Sequence, residues 1–333
     1  MSERVRWGLL STANINDALI EPIRQAGRSD LVAVASRSLA KAQAYAQEKG
    51  IPKAHGSYQE LLADPEVDAL YISLPNTLHC EWTVKAAEAG KHVLCEKPIV
   101  PTLAELERAE AAARVYSVTI FEAFMYLHHP QTLKVKQLIR DGQLGQLQLI
   151  NSWFAYPLPP EDRANIRLNP DLAGGSLWDV GVYPNSLAIV MAGAGAPVEV
   201  WASQIKGETG VDVSLIAQMK FANGVMAQIS SGFRSPFREG AQIVGSEGMI
   251  RIAEPWKPHL SGRGSQLVFN RQDGAEETMT VPHKDPYLDE VEAMEACVLD
   301  GAEPVVTLSQ SRDFLRTVLA LYQSAETGQP VTL

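Results

Sequence analysis

Residues 5–17 read VRWGLLSTANIND, an apolar run, a short polar turn and the start of a helix-like stretch. A strand that turns tightly into a helix opens a dinucleotide-binding unit, where a G-x-G-x-x-G/A loop lets the backbone approach a pyrophosphate. Gly8, at the strand end, is the one glycine here; the three loop positions are occupied by Ser11, Ala13 and Asn16. Serine and alanine are the smallest substitutes, and asparagine tolerates a left-handed backbone better than most residues. Pyrophosphate is held by backbone N–H groups and a helix N-terminus, which do not require glycine as such. Ser11, Thr12, Ala13, Asn14 and Ile15 therefore form a candidate cofactor surface, with a plain strand–helix turn as the alternative. Pro22 predicts that the helix is kinked or begins late.

Further apolar runs follow: LVAVAS, DALYISL, HVLCEK and VTIFEAF. Helix-like segments lie between them at 39–48, 81–89 and 103–114, the last opened by Thr102 and Glu105 as a capping box. Strands that are apolar throughout and alternate with helices predict a parallel sheet covered on both faces, an α/β Rossmann-type domain over 1–123. The remainder, 124–333, follows a different pattern. In VDVSLIAQMKF, Val211, Val213, Leu215, Ala217, Met219 and Phe221 recur at every second position, then Asn223-Gly224 turns the chain into VMAQISSGF. AQIVGSEGMIRIA and QLVFNRQDGAEETMTV repeat the strand–turn–strand form. This predicts an α+β domain built on a large, mostly antiparallel, open-faced sheet, with helices near 179–192, 286–299 and 309–326.

The 333 residues fit about two domains, and 46% hydrophobic with 20% charged residues describe an ordinary globular chain. A net charge of −10 with no basic stripe argues against a nucleic-acid partner. No apolar run approaches the ~20 residues of a membrane span. MSERVRWGLL lacks the pattern of a signal peptide. Cys80, Cys95 and Cys297 fit neither a disulfide framework nor a zinc spacing, so a cytoplasmic setting is expected.

An NAD-binding chain carries Asp or Glu about 20 residues beyond the loop, for the ribose hydroxyls. This chain has Ser36, Arg37 and Ser38, a hydroxyl and guanidinium set suited to a 2′-phosphate. NADP(H) is the expected cofactor, unless Arg37 merely decorates a surface loop. Farther on, Glu96-Lys97-Pro98 in HVLCEKPI, and Pro75, Asn76 and His79 in LPNTLHCEW, carry a resemblance. EAFMYLHHPQ, GQLGQLQLINSWF, GGSLWDVGVYPNSLAIVMAG and IVGSEGMIRI continue it along nearly the whole chain. The ordered set resembles the glucose–fructose oxidoreductase/inositol dehydrogenase (Gfo/Idh/MocA) family. It is most similar to the branch of dimeric dihydrodiol dehydrogenases and NADP-dependent D-xylose dehydrogenases, where the first loop often departs from strict glycines.

Asp179 and Tyr183 are four apart and would share a helix face, with Pro184 in the first turn. The resemblance implies a catalytic set of Lys97, Asp179 and Tyr183. A tyrosine with its ordinary pKa of about 10 is a weak base, and a nearby ammonium lowers that value. The expected roles are Tyr183 as general acid/base, Lys97 as its activator and Asp179 as orienter, with Lys97 and Tyr183 able to exchange roles. Cofactor contacts are expected from Leu74, Pro75, Asn76, His79, Glu96, Lys97 and Pro98 as well. Trp153, Phe154, Arg163, Arg167 and Tyr287 are candidates for the substrate pocket. His128-His129 lacks a completing ligand set, so no metal is expected.

The branch's usual Arg-Phe-His is replaced here by Leu127-His128-His129, a stretch similar to that in 3-ketoreductases of nucleotide-linked deoxysugars. The leading expectation is a metal-independent NADP(H)-dependent oxidoreductase acting on a sugar or related cyclic polyol. Alternatives are such a ketoreductase, a glycosidase using bound NAD, or a non-catalytic dinucleotide sensor. The family pairs through the open sheet face, which implies a homodimer or homotetramer.

Overall fold

The computed structural model describes residues 3–162, 164–258 and 265–333. The chain forms two compact units, Met1–His128 with Asp285–Ser311, and His129–Lys284 with Arg312–Leu333.

The first unit carries a parallel sheet of β1 (Val5–Leu10), β2 (Ser29–Ala35), β3 (Lys53–His55), β4 (Ala69–Ile72), β5 (His92–Glu96) and β6 (Ile120–Ala123), in the order β3-β2-β1-β4-β5-β6. The strands alternate with α1 (Asp17–Gln25), α2 (Leu39–Lys49), α3 (Tyr58–Ala63), α4 (His79–Glu88) and α5 (Leu103–Tyr116). β4 and β6 are buried at every residue, as strands covered on both faces must be. β3 has no apolar run to announce it; its three residues are half-buried at the sheet edge. Gly8 is kept because a Cβ there would lie 2.9–3.1 Å from Leu70, Leu61 and Val67. α1 begins at Asp17 after a single 3₁₀ turn and continues through Pro22. Thr102 caps α5 by accepting the Glu105 N–H, and its hydroxyl donates to the Glu105 carboxylate.

α8 (Pro286–Asp300) belongs to this unit. Its Glu295 accepts from the Arg28 N–H and the Ser29 hydroxyl, and Ser29 in turn accepts from the Trp7 indole.

The second unit holds β7 (Leu147–Ala155), β8 (Glu199–Lys206), β9 (Asp212–Lys220), β10 (Met226–Gly232), β11 (Arg238–Gly245), β12 (Gly248–Ile252), β13 (Ser265–Arg271), β14 (Glu276–Val281) and β15 (Val331–Thr332). Their order is β14-β13-β12-β11-β7-β10-β9-β8-β15. The pairs are antiparallel except β7 with β10. The expected alternation is met: Val211, Val213, Leu215, Ala217, Met219 and Phe221 are all buried. α6 (Pro130–Arg140) precedes β7, and α7 (Val182–Ala192) lies on one sheet face, where the Pro184 carbonyl accepts from Ser152. On the other face Ile216 and Met226 are each 55% exposed. The last helix, α9 (Leu308–Thr327), runs across the boundary between the units in sequence.

α7 is preceded by a π-helical turn, Leu177–Gly181. Pro184 has no N–H with which to close an α-turn onto Val180, so a wider turn is tolerated just before it. The start of that turn is fixed by Asp212, only 2% exposed, which accepts from the Ser176 hydroxyl at 2.6 Å, the Leu177 N–H at 2.9 Å and the Tyr322 hydroxyl at 2.7 Å. Gly175, at φ 124°, closes the approach, since a Cβ there would collide with Asp212 and Tyr322. Asp212→Ala would strand the Leu177 N–H and the Tyr322 hydroxyl, while the Ser176 hydroxyl keeps that of Ser231 at 2.9 Å. Each unsatisfied group costs about 1–3 kcal/mol, so equilibrium urea unfolding should show a loss of about 2 kcal/mol or more. A loss below about 1 kcal/mol would mean the network does not hold the turn.

Candidate active site

In the first unit the expected cofactor residues gather at the carboxyl ends of the parallel strands, where the order reverses between β1 and β4. Ser11 has the positive φ, 150°, that a glycine would adopt freely. Its hydroxyl lies 2.7 Å from that of Ser73 and accepts the Ala13 N–H at 3.1 Å. Asn16 is right-handed helical rather than left-handed; its side chain donates to the Ser11 carbonyl and accepts from Ser73. A side-chain network thus replaces the glycines and ties the β1 loop to the β4 loop. Ala13 offers no side-chain cap to the Asn14–Asn16 turn, and Thr12 and Ile15 complete a loop with no acidic residue. This small, uncapped loop fits an anionic pyrophosphate.

Ser36 is buried just past β2, Arg37 is exposed, and Ser38 caps α2 by accepting the Lys41 N–H. No carboxylate occupies these three positions, which fits a 2′-phosphate.

His79 is fully buried with its ring nitrogens 2.7 Å from the Leu74 carbonyl and 2.8 Å from the Pro98 carbonyl. Burial pushes its pKa down against the pull of those carbonyls. The imidazole braces the Leu74-Pro75-Asn76 loop against the turn that carries Lys97. Glu96 accepts from the Tyr71 hydroxyl and from the Lys97 N–H. The Lys97-Pro98 peptide is cis.

Two groups near this turn went unnoticed in the sequence. Glu122, on β6, accepts the Ile99 N–H at 2.9 Å, and burial pushes its pKa up to about 7 against that bond and Lys97. Glu290, on α8, lies with its carboxylate 4.0 Å from His128, and burial followed by Glu96 raises it well above the usual carboxylate range. Both sat inside apolar stretches whose pattern showed only strand or helix. Tyr287, expected in the substrate pocket, is buried at the start of α8, its pKa raised by burial, then by Glu96.

In the second unit, Asp179 lies within the π-turn and Tyr183 in the first turn of α7, so they do not share a regular α-helical face. Asp179 is engaged: its carboxylate accepts from the Tyr156 hydroxyl at 2.7 Å and lies 2.9 Å from the Arg167 guanidinium. Arg167, expected to meet substrate, is therefore the ion partner of Asp179. Tyr156 was missed, lying two residues beyond the end of the quoted motif GQLGQLQLINSWF; burial, then the Asp179 charge, raises its pKa.

Tyr183 meets Phe154 edge-on at 5.5 Å and Trp256 at 5.7 Å, and Phe154 stacks on Trp256 at 6.0 Å. Trp256 was also missed, because its loop shows no periodicity. Trp153 and Phe154 point to opposite faces of β7, as consecutive strand residues must. The Trp153 ring lies under Arg238 and against Gly240 on the open face, away from Tyr183. Arg163 lies outside the described residues. His129 caps α6 by accepting the Gln131 N–H. Among the described residues no three His, Cys, Asp or Glu side chains converge in a metal-binding arrangement. No helix among them is long and apolar enough to cross a membrane.

Comparison with known proteins agrees with this layout. Residues 5–124 match the GFO_IDH_MocA oxidoreductase family with its NAD-binding Rossmann fold, and residues 132–251 match the GFO/IDH/MocA C-terminal domain. The chain is 38% identical to a D-xylose 1-dehydrogenase (NADP(+)) of Haloferax volcanii, covering 98% of this chain and 99% of the other. It is 32% identical to a trans-1,2-dihydrobenzene-1,2-diol dehydrogenase of Danio rerio, covering 92% of each. Among solved structures, a 3-ketoreductase from Actinomadura kijaniata in complex with NADP and TDP-benzene superposes with a TM-score of 0.86 at 30% identity, covering 96% of this chain and 98% of that one. With both halves of the fold matched and a relative similar from end to end, the chain belongs to the Gfo/Idh/MocA family of oxidoreductases.

Proposed function

We propose that this protein is an NADP(H)-dependent oxidoreductase that interconverts a hydroxyl and a carbonyl on a sugar or related cyclic polyol. The observation that carries the reading is the end-to-end similarity to an NADP-dependent xylose dehydrogenase in a chain whose β2 loop reads Ser36-Arg37-Ser38. Bound NADP would accept or return the hydride. The chain's own part is to hold the sugar and move the proton. In the oxidising direction Tyr183 Oη takes the proton of the reacting hydroxyl, the Lys97 ammonium favours the phenolate, and Asp179 orients the group through Arg167 and Tyr156. In reduction the same oxygen returns the proton to the developing alkoxide.

The aromatic surroundings of Tyr183 suit the apolar face of a sugar ring. Assembly as a homodimer or homotetramer is part of the proposal. It is supported by the open sheet face, where Trp153, Trp201, Ile216 and Met226 present apolar surface. Work in the cytoplasm is supported by three buried free thiols. A second reading, reduction of a nucleotide-linked keto sugar, is favoured by the similarity to the 3-ketoreductase. Assaying D-xylose and other aldoses against dTDP-linked keto sugars distinguishes the two.

NADPH should bind at least about tenfold tighter than NADH, a difference of ~1.4 kcal/mol. Arg37→Asp should erase or reverse that preference in fluorescence titrations. Equal affinities in the unaltered protein would remove the assignment of Ser36 and Arg37 to the 2′-phosphate.

Tyr183→Phe removes one oxygen and almost no volume, so folding and NADPH binding should persist while turnover falls on the order of 10²–10⁴-fold. Lys97→Met should lower activity and raise the apparent pKa of the proton-transfer group in the pH–rate profile. A Tyr183→Phe enzyme that keeps more than about a tenth of its turnover would move the proton to another residue.

A further inference from the structure

β11 runs antiparallel to β7 with Glu239 directly opposite Phe154. Directly opposed residues share a sheet face, so the Glu239 carboxylate rises on the face of Phe154, Trp256 and Tyr183. Its neighbours Arg238 and Gly240 face the other way, toward Trp153. Phe237, two residues earlier, touches the Phe154 ring at 6.2 Å and is 62% exposed. Glu239 thus stands in an aromatic setting with one open flank.

Its polar partnerships are sparse. One oxygen accepts a long hydrogen bond, 3.4 Å, from the Trp256 N–H, and among the described residues it has no other hydrogen-bond partner. A carboxylate has about four acceptor sites, so most of its capacity is unused. The charged groups that bear on it are Glu254 and Lys257, from the segment that follows β12. Burial pushes its pKa up to about 7, the Trp256 N–H and Lys257 opposing and Glu254 adding. Leaving a half-buried carboxylate under-bonded among aromatic rings costs stability, which a ligand bearing several hydroxyl donors would offset.

We infer that Glu239 is a specificity-determining residue that accepts hydrogen bonds from substrate hydroxyls while the ring of the polyol rests against Phe237. The inference depends on the functional reading above and goes beyond it by naming the group that selects for vicinal hydroxyls. An aromatic surface takes the C–H face of such a ring and a carboxylate takes its hydroxyl edge. A substrate with fewer hydroxyls would satisfy only the aromatic part.

The test is steady-state oxidation of D-xylose and of 2-deoxy-D-xylose with NADP+, using the unaltered protein and Glu239→Gln. Glutamine keeps an acceptor for Trp256 but loses the charge. KM for D-xylose should rise about tenfold or more, the worth of a hydrogen bond to a charged acceptor, with kcat and NADPH affinity changed less than about threefold. In the unaltered protein KM should rise as the pH falls through about 7, because protonation removes the carboxylate; in Glu239→Gln that rise should vanish. The deoxy sugar should lose its disadvantage in the variant. A KM for D-xylose within about twofold of the unaltered value, or a pH-independent KM in the unaltered protein, overturns the inference while leaving the function standing. If Glu239→Gln fails to fold, Glu239→Asp, which keeps the charge but draws it back by one methylene, is assayed in the same way, and an unchanged KM for D-xylose overturns the inference. Absence of turnover of every aldose and cyclic polyol tried overturns the functional reading, and this inference falls with it.

Discussion

The helix that carries Tyr183 begins where Asp212 lets it begin. A carboxylate removed from water is costly unless its lone pairs are met, and here three donors from two distant segments converge on it. Burial raises the Asp212 pKa while those donors oppose the rise. The arrangement leaves Ser176 and Leu177 no freedom to shift. With that end fixed and Pro184 unable to donate, the intervening residues take the π-turn, and Asp179 is delivered to Arg167 and Tyr156. A cap on a conventional helix would have left the Asp179 carboxylate committed to the backbone. Here it is committed to side chains that can orient a ligand.

A comparable economy holds in the first unit. The loss of loop glycines is made good by Ser11, Asn16 and Ser73, which bond one another across the point where the strand order reverses. His79 does the same for the next pair of loops through two backbone carbonyls. Polar side chains thus fix the loops on which the proposed cofactor residues lie.

The legibility of the sequence follows the physics that shapes each element. Strands buried on both faces are written as apolar runs, and half-buried strands as alternation, so 5–10, 69–72 and 211–221 could be read directly. β3 is three half-buried residues and carries neither signal. The four-residue spacing of Asp179 and Tyr183 assumed an α-helix; the π-turn depends on Asp212, more than thirty residues later, and no local pattern contains it. Arg167 was visible as a charge but its partner was not. Trp153 and Phe154 were read as a pair, although adjacent strand residues face opposite ways. Glu122, Tyr156, Glu239 and Trp256 owe their surroundings to strand register and loop packing, which spacing along one segment cannot reveal.

If Tyr183 and NADP+ serve one reaction, the hydride must leave the carbon whose hydroxyl gives up its proton. The most direct measurement is a single turnover of the NADP+-loaded protein with D-xylose and with C1-deuterated D-xylose, following formation of the reduced nicotinamide. The account predicts NADPH formation that slows on deuteration, and that slows further with an unchanged NADP+ affinity when Tyr183 is replaced by phenylalanine. Formation of no reduced nicotinamide from any aldose or cyclic polyol, or a rate indifferent to the Tyr183 hydroxyl, would contradict it.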